Sequence, residues 1–260
     1  MSTLAGLFFR FAFLAALGVI GWFLVDAYVP SRHLPWKPAD LTQPPGLATS
    51  TQMRELAEDR YICIAALKEA GVEAESVENM DNGDFCAFTN AVRLKSGVTP
   101  VAGDLVLSCP LAAAYVVWDR EVMQPAAQQH LGSRVKRVSS FGSYACRRMY
   151  GRDDQKPSEH ATAYAVDVAA FELEDGRTVT VLEGWNAIGP ESGFLHSLRD
   201  GGCGVFRTVL SPDYNVEHAD HLHFDMGPWA LCPKGPQTPP VPPGVPAAKV
   251  DGQGAAPDSI

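Results

Sequence analysis

The chain begins with an apolar segment that is long enough to span a membrane. Residues 4–25 contain one charged side chain, Arg10, and are otherwise almost wholly apolar. About 22 residues of helix measure roughly 33 Å, which is enough to cross the hydrocarbon core of a bilayer. A cleaved signal peptide needs a shorter apolar core and a small-residue cleavage site, which residues 25–30 supply poorly. The favoured interpretation is an uncleaved signal anchor over residues 1–29, with a cleaved signal and a buried core helix as the alternatives.

Six cysteines indicate an oxidising compartment, in which they form up to three disulfides. None stands in a CxxC pair, so neither a zinc ribbon nor a thioredoxin-like motif is expected. Fifteen pairings are possible, and the sequence does not select one. Six free thiols in a cytosolic protein are the alternative, which conflicts with the apolar N-terminus. We therefore predict a single-pass protein of the cell membrane, with its domain on the periplasmic or extracytoplasmic side. The cysteines are Cys63, Cys86, Cys109, Cys146, Cys203 and Cys232.

Charge and composition divide the rest of the chain. The formal net charge of −9 argues against a nucleic-acid partner, because binding phosphates requires a basic face. Residues 30–47 carry five prolines and are predicted to form a stiff, extended spacer. Residues 48–232 are predicted to be the ordered domain. Residues 233–260 are rich in proline and poor in large apolar side chains, which predicts a disordered tail whose polyproline character suits a binding partner.

The ordered domain has helix signals first and strand signals later. This order predicts an α+β fold in which N-terminal helices pack on a small antiparallel sheet. Ser50 is a candidate N-cap and Gly71 a candidate C-terminal stop for the first helix. The predicted elements, in chain order, are helices over 50–71, from Ser108 and up to Gly132, a strand over 135–141, a hairpin of 165–173 and 177–182, a short helix after Gly189 and a strand over 221–226.

Two histidine-rich segments carry the candidate chemistry: SEHATAYAVDV over residues 158–168 and HADHLHFD over residues 218–225. Imidazole nitrogens and carboxylate oxygens are the usual zinc ligands, and a catalytic zinc takes three protein ligands and a water. In a strand, His221 and His223 point to the same face, about 6.6 Å apart. An unbroken strand would hold His160 and Asp167 about 23 Å apart on opposite faces, so a shared metal site requires a turn between them.

These two segments resemble the HxxxxxxD and HxH signatures of a superfamily of zinc peptidases. Its members include D-alanyl-D-alanine metallopeptidases, lysostaphin-type enzymes and hedgehog domains. The spacing HxxHxH in the second segment is similar to that of penicillin-insensitive murein endopeptidases. The sequence from Ser143 through Arg147 and on into the first segment resembles the bacterial extensin-like C-terminal domain family within that group. The resemblance is sharp over residues 140–228 and vague over 50–135.

The resemblance implies a role for each of eight residues. It implies a Zn2+ ion in the sheet region and hydrolysis of peptide bonds in peptidoglycan cross-links or stem peptides, in which a neighbouring imidazole or carboxylate moves the proton. Two residues remain open as the general base, and Arg148 rivals Arg147 as the substrate-binding arginine. The implied roles are zinc ligands for His160, Asp167 and His223, general base for His221 or Asp220, and substrate contacts for Arg147, Ser158 and His218.

Two other functions remain as alternatives to a wall peptidase. The first is a non-catalytic wall-binding domain that retains a structural zinc site, since a bound metal contributes folding energy directly. A structural zinc site usually closes with a fourth protein ligand, so an open three-ligand site in a groove would favour the enzyme. The second is a hydrolase of a peptide outside the wall. The sequence specifies neither the bond cleaved nor the oligomeric state.

Overall fold

The computed structural model describes residues 2–103 and 105–233. The predicted disordered tail lies outside the described residues, apart from Pro233. Helix α1 (Ser2–Tyr28) has its apolar side chains exposed along residues 6–28. Within the described ranges it is the one helix long and apolar enough to cross a bilayer, over Gly6–Tyr28. By its length, composition and exposure, this helix could be a membrane anchor or a signal sequence.

Residues 30–47 do not form the extended spacer that their prolines predict. The chain turns at once after α1 through a short 3-10 helix, Ser31–His33. Leu34 and Leu41 are then buried, at 4% and 2% exposure. Burial of these two leucines stabilises the segment against the domain by roughly 1.5–3 kcal/mol each. We call residues 30–47 the collar.

The single helix predicted over residues 50–71 is wrong, because the structure has two. Helix α2 (Thr49–Glu55) ends before a break, and α3 (Arg60–Glu69) begins after it. Asp59 is extended and accepts hydrogen bonds from the Tyr61 and Ile62 amides, so a cap inside the predicted helix starts a new one. The predicted stop at Gly71 is correct. Gly71 has a φ of +71°, in the left-handed region, and its amide donates to the Lys68 carbonyl at the C-terminal end of α3.

Five short strands that the sequence did not predict lie between the N-terminal helices and the core helix. Three of them form an antiparallel sheet in the order β1–β4–β5, and the other two form a hairpin. Most are only two to four residues long, which is too short to give a periodic signal. The strands are β1 (Glu73–Ser76), β2 (Met80–Asp81), β3 (Ala87–Phe88), β4 (Ala91–Ser96) and β5 (Leu107–Ser108).

Helix α4 (Cys109–Trp118) forms the centre of the core, and all ten of its residues are buried. A helix that is apolar on every side must be covered on every side. Pro110 stands in its first turn, as predicted. A π-helical turn, Asp119–Met123, leads into α5 (Gln124–Leu131), which ends at the left-handed Gly132.

A five-stranded antiparallel sheet packs against α4. The strand order is β6–β7–β10–β9, and β8 pairs with residues 170–172 of β7, beyond the residues that pair with β10. Trp118 of α4 packs on Phe224 of the sheet with ring centroids 4.9 Å apart. The α+β prediction is confirmed, and so is the hairpin around Gly176. The remaining elements are β6 (Val135–Gly142), β7 (Ala165–Leu173), β8 (Thr178–Thr180), α6 (Val181–Gly184), α7 (Pro190–Gly202), β9 (Thr208–Leu210) and β10 (Leu222–Asp225).

All six cysteines are paired, which confirms the predicted disulfides. Cys63–Cys109 joins α3 to α4 in the core. Cys86–Cys146 ties the β2–β3 hairpin region to the loop after β6. Cys203–Cys232 fastens the last described residues beside β9. Each bridge removes freedom from the unfolded chain, which typically stabilises a fold by about 2–4 kcal/mol.

Candidate metal centre

The centre is built on the pairing of β7 with β10. Asp167 of β7 lies directly opposite His223 of β10. Directly opposed residues in an antiparallel pair have neighbouring side chains on the same face. The His223 Nδ1 is accordingly 2.8 Å from Asp167 Oδ1. Sheet register alone therefore joins two residues that are 56 positions apart in the chain.

His160 reaches the same carboxylate from outside the sheet. A 3-10 helix, Glu159–Thr162, ends at Ala163 with a φ of 58°, and this turns the chain into β7. The turn that a shared site requires is therefore present. His160 Nε2 lies 3.1 Å from Asp167 Oδ2, and its Nδ1 donates to the Ser143 carbonyl 3.1 Å away. That second contact fixes the ring orientation and leaves Nε2 free as a ligand atom.

These three residues form a donor set that suits a metal ion. Among the described residues, His160, Asp167 and His223 offer ligand atoms that all lie within 4.8 Å of one another. His160 and Asp167 are buried, and the side chain of His223 is 11% exposed. Two imidazoles and a carboxylate are a ligand set of catalytic zinc sites. The residues that the resemblance implies as ligands are thus the ones brought together.

Protons occupy this cluster when no metal does. Burial acts to lower the pKa of His223, but hydrogen bonds with Asp167 and Asp225 outweigh it and raise the pKa to about 9. Burial acts to raise the pKa of Asp167, but hydrogen bonds from His160 and His223 hold it well below its usual value. An imidazolium beside a carboxylate is the charge pattern that a divalent cation replaces.

Asp225 supports the centre, and the sequence analysis missed it. Its Oδ2 is 3.1 Å from His223 Nε2, on the far side of the ring from Asp167. Its Oδ1 accepts from the Gly227 amide, which holds the carboxylate in place. The signal was available, because residues 223 and 225 share a strand face. A carboxylate behind a metal-binding histidine orients the ring and raises its basicity.

His221 faces the same carboxylate from the residue before β10. Its Nε2 is 3.5 Å from Asp167 Oδ1, and its Nδ1 is 2.9 Å from Asp220 Oδ1. The Phe141 ring packs edge-on against it at 5.8 Å. With Asp220 accepting from Nδ1–H, the Nε2 lone pair faces the donor set. The two candidates for the general base therefore form one pair, in which Asp220 orients His221.

His218 stands behind these rings. Its Nδ1 donates to the side-chain oxygen of Asn215, and its ring centroid is 5.1 Å from that of His221 and 5.8 Å from that of His223. Burial, together with the neighbouring His221, lowers the pKa of His218 to about 3. It is therefore neutral at physiological pH, and its Nε2 is available to a ligand.

A groove of about 750 Å³ opens above these residues. The ligand residues, with His218 and His221, form what we call its floor. The irregular residues 147–157 form one side, which we call the basic wall. Residues of β9 and of the loops that flank it complete the lining. The lining outside the floor includes Arg147, Tyr150, Lys156, Ser158, Tyr214, Trp229 and Leu231.

The two candidate arginines differ in their surroundings. Arg148 donates to the Gln155 carbonyl and its guanidinium lies 4.7 Å above the Phe85 ring, so its side chain serves the fold. Arg147 is exposed and lines the groove, and its guanidinium has no hydrogen-bond partner within residues 2–103 and 105–233. Ser158 also lines the groove, but its hydroxyl accepts from the His160 amide as a cap.

One comparison with known proteins gives a match. The sequence model of a protein family described as "Extensin-like protein C-terminus" matches residues 61–233, which is more than half of the chain. The matched region contains every residue of the floor and of the basic wall. No curated protein and no solved structure matches the chain.

Proposed function

The chain belongs to the extensin-like protein C-terminus family, and from this premise and the geometry of the centre we propose that it is a zinc-dependent peptidase. Its proposed substrates are the peptide bonds of peptidoglycan cross-links or stem peptides. The proposal includes a relationship to the D-Ala-D-Ala metallopeptidases and murein endopeptidases, whose paired signatures residues 160–167 and 221–223 resemble. The observation that carries it is the three-residue donor set on the floor of an open groove.

The form of the donor set supports catalysis over a purely structural metal. A structural zinc site closes with four protein ligands, whereas a catalytic site keeps one position open. Here three residues converge within 4.8 Å, and the groove gives a substrate access to them. Both ligand histidines also have their second ring nitrogen held, by the Ser143 carbonyl and by Asp225. Such support is a regular feature of functional zinc sites.

The residues of the floor have complementary roles in the proposed reaction. A zinc ion held by His160, Asp167 and His223 would polarise the scissile carbonyl and activate a water molecule. His221 accepts the water proton at Nε2 and passes it to the leaving amine. Asp220 holds His221 in the required tautomer and stabilises the imidazolium that forms. The distance of 2.9 Å between Asp220 Oδ1 and His221 Nδ1 supports this role for Asp220 over that of a separate general base.

The groove and the anchor support the choice of substrate. Arg147 extends from the basic wall, and its guanidinium, which has no hydrogen-bond partner among the described residues, can bind a stem-peptide carboxylate through two parallel hydrogen bonds. His218 and Ser158 also line the groove and are the proposed contacts for substrate amides. Three disulfides and an apolar N-terminal helix suit a domain that works outside the cytoplasmic membrane. Peptidoglycan, with its cross-linking peptides, lies in that compartment.

Digestion of purified peptidoglycan tests the proposal. The zinc-loaded protein is incubated with intact wall and with soluble cross-linked fragments, and the products are read by mass spectrometry. We expect new fragments whose summed mass has gained one water for each bond cut. The fragments also name the bond. The matched controls are the same protein treated with a chelator and the His221→Ala variant loaded with zinc.

Two results would contradict the proposal and favour an alternative. Co-sedimentation with the wall, full zinc occupancy and no new fragment would indicate a binding domain with a structural metal. Cleavage of unrelated peptides but not of wall fragments would indicate a peptidase with another substrate.

A further inference from the structure

The end of α1 is fastened to the collar by specific side-chain contacts. Asp26 is a carboxylate near the end of a helix whose other charged residue, Arg10, lies 16 positions earlier. It accepts a hydrogen bond from Trp36 Nε1 at 2.9 Å and forms a salt bridge with Lys37 Nζ at 2.8 Å. The Trp36 ring also stacks on Trp22 of the helix, with centroids 4.3 Å apart and planes 27° apart. Trp36 and Lys37, which follow Asp26 by 10 and 11 positions, thus fold back onto the helix.

The collar is fastened as firmly to the domain. The Gln52 side-chain amide of α2 donates to the Ser31 and Leu34 carbonyls, at 2.9 Å each. The Ala48 amide donates to the Arg32 carbonyl at 3.0 Å. Within the collar, Gly46 packs so closely against Arg32 that a Cβ would lie 2.5 Å from the Arg32 carbonyl oxygen. Together with the buried Leu34 and Leu41, these contacts make the collar part of the domain.

The chemistry of the first set of contacts fits the surface of a bilayer. Tryptophan and tyrosine concentrate at the level of lipid headgroups, where an apolar ring and a polar N–H or O–H are both satisfied. Trp22, Tyr28 and Trp36 gather at the end of the helix and are all more than 40% exposed. A carboxylate close to hydrocarbon is costly unless it is paired. Lys37 and the Trp36 indole supply that pairing for Asp26.

We propose that Trp22, Asp26, Trp36 and Lys37 form a clasp at the headgroup level of a phospholipid bilayer, and that this clasp fixes the orientation of the domain on the membrane. The clasp and the C-terminal end of α3 border one small cavity, which Asp26 and Lys37 share with Ala66, Glu69 and Ala70. This end of α3 therefore faces the lipid. The inference does not depend on the proposed peptidase activity.

The first test establishes whether the clasp exists in the mature protein. The full chain is expressed in its membrane, and its N-terminus is determined by mass spectrometry of the intact protein. We expect a mature chain that retains Asp26. A chain cleaved after Asp26 would overturn the proposal, because both helix partners of the clasp would be gone.

The second test measures orientation in nanodiscs of phosphatidylethanolamine and phosphatidylglycerol. A dye on a noncanonical amino acid at the fully exposed position 188 transfers energy to acceptor lipids in the disc. We expect a narrow distribution of transfer efficiencies for the full chain. A broken clasp leaves Val29 and Pro30 as the link between the end of helix α1 and Ser31, the first collar residue that is fastened to the domain, so the helix can change its direction at this link. The distribution should then broaden.

Matched variants make this test decisive. Asp26→Asn and Lys37→Gln each remove one charge of the clasp and should broaden the distribution. Asp40→Asn is the control, because Asp40 accepts from Thr42 and Gln43 within the collar and does not contact α1. The double variant Asp26→Lys with Lys37→Asp restores the pair and should narrow the distribution again. A distribution that is equally narrow in all variants, or equally broad in all including the unaltered chain, would overturn the proposal.

Discussion

The floor of the groove and its basic wall are held by different means. The floor residues Asp167 and His223 stand on paired central strands, where backbone register fixes their separation. The basic wall is irregular chain between β6 and β7. Its position depends on the Cys86–Cys146 disulfide and on the contact of Arg148 with Phe85. Geometry that must hold to a fraction of an ångström is thus built into the sheet.

This difference predicts how each region responds to substitution. A ligand set tolerates little displacement, because metal coordination needs defined distances and angles. The basic wall, by contrast, is one of several regions that contribute to the affinity for substrate. We therefore expect variants of the ligand residues to lose the metal, variants of His221 to lose most of the chemical step, and variants of the basic wall to change substrate binding in graded amounts.

The largest effect is expected from the ligands. Changing His160, Asp167 or His223 to alanine should abolish stoichiometric zinc and hydrolysis together, because two remaining ligands cannot hold three-point geometry. Zinc content by plasma mass spectrometry and digestion of wall fragments provide the measurements. His130→Ala and Asp175→Asn are matched controls away from the groove. Full zinc in all three ligand variants would mean that the metal lies elsewhere.

Loss of His221 should separate chemistry from metal binding. His221→Ala should keep near-stoichiometric zinc while hydrolysis falls about 10²–10⁴-fold, the usual range for a lost acid–base group. Asp220→Asn should keep the metal and lose about 10–100-fold, as expected for a group that orients another. A reversed pattern, in which His221→Ala loses zinc and His223→Ala retains it, would exchange the roles of the two histidines.

The floor of the groove was more predictable from the sequence than the basic wall and the collar. Strand alternation placed His221 and His223 on one face, and the requirement for a turn before Asp167 followed from distance alone. The family match confirms the extensin-like resemblance. The role of Asp225 was missed although the same alternation applied to it. Proline content misled for the collar, because Leu34 and Leu41 find their burial partners only in the folded domain.

The other differences had one local and one distant cause. The Asp59 cap that divides residues 50–71 is local, but the helical pattern continues on both sides of it and hides it. The choice between Arg147 and Arg148 was open because it depends on a contact that is distant in sequence. It rests on Phe85, which is more than 60 residues away and is brought near by a disulfide that the sequence could not pair.

The stability of the metal-free protein should have a maximum in pH, and the floor should account for both sides of it. The pKa of His223 is about 9 in the folded protein and near 6.5 in the unfolded chain. Its contribution to the free energy of unfolding is therefore complete below pH 6.5 and is lost as the pH rises through 9. His218 has a folded pKa of about 3, so its contribution is complete above 6.5 and is lost as the pH falls toward 3. Each slope is at most about 1.4 kcal/mol per pH unit.

Urea unfolding in chelator at several pH values measures this curve. His223→Gln should flatten the alkaline side and His218→Gln the acid side, each leaving the other slope in place. Saturating zinc should remove the alkaline decline, because the metal replaces the proton on His223. An alkaline slope that survives in His223→Gln would assign it to another group.

The smallest effect is expected in the basic wall. Arg147→Ala should raise KM for a carboxylate-bearing wall peptide about tenfold, because an exposed charge-assisted pair contributes near the lower end of 1.5–3 kcal/mol. Zinc content and kcat should change little, since Arg147 touches neither the donor set nor His221. Arg148→Ala is the matched control. It should lower the melting temperature, because its guanidinium supports the Gln155 carbonyl and the Phe85 ring, and it should leave KM nearly unchanged. Amidating the substrate carboxylate should raise KM for the unaltered enzyme and have no further effect on Arg147→Ala. If the amidated peptide still distinguishes the two proteins, Arg147 binds another part of the substrate.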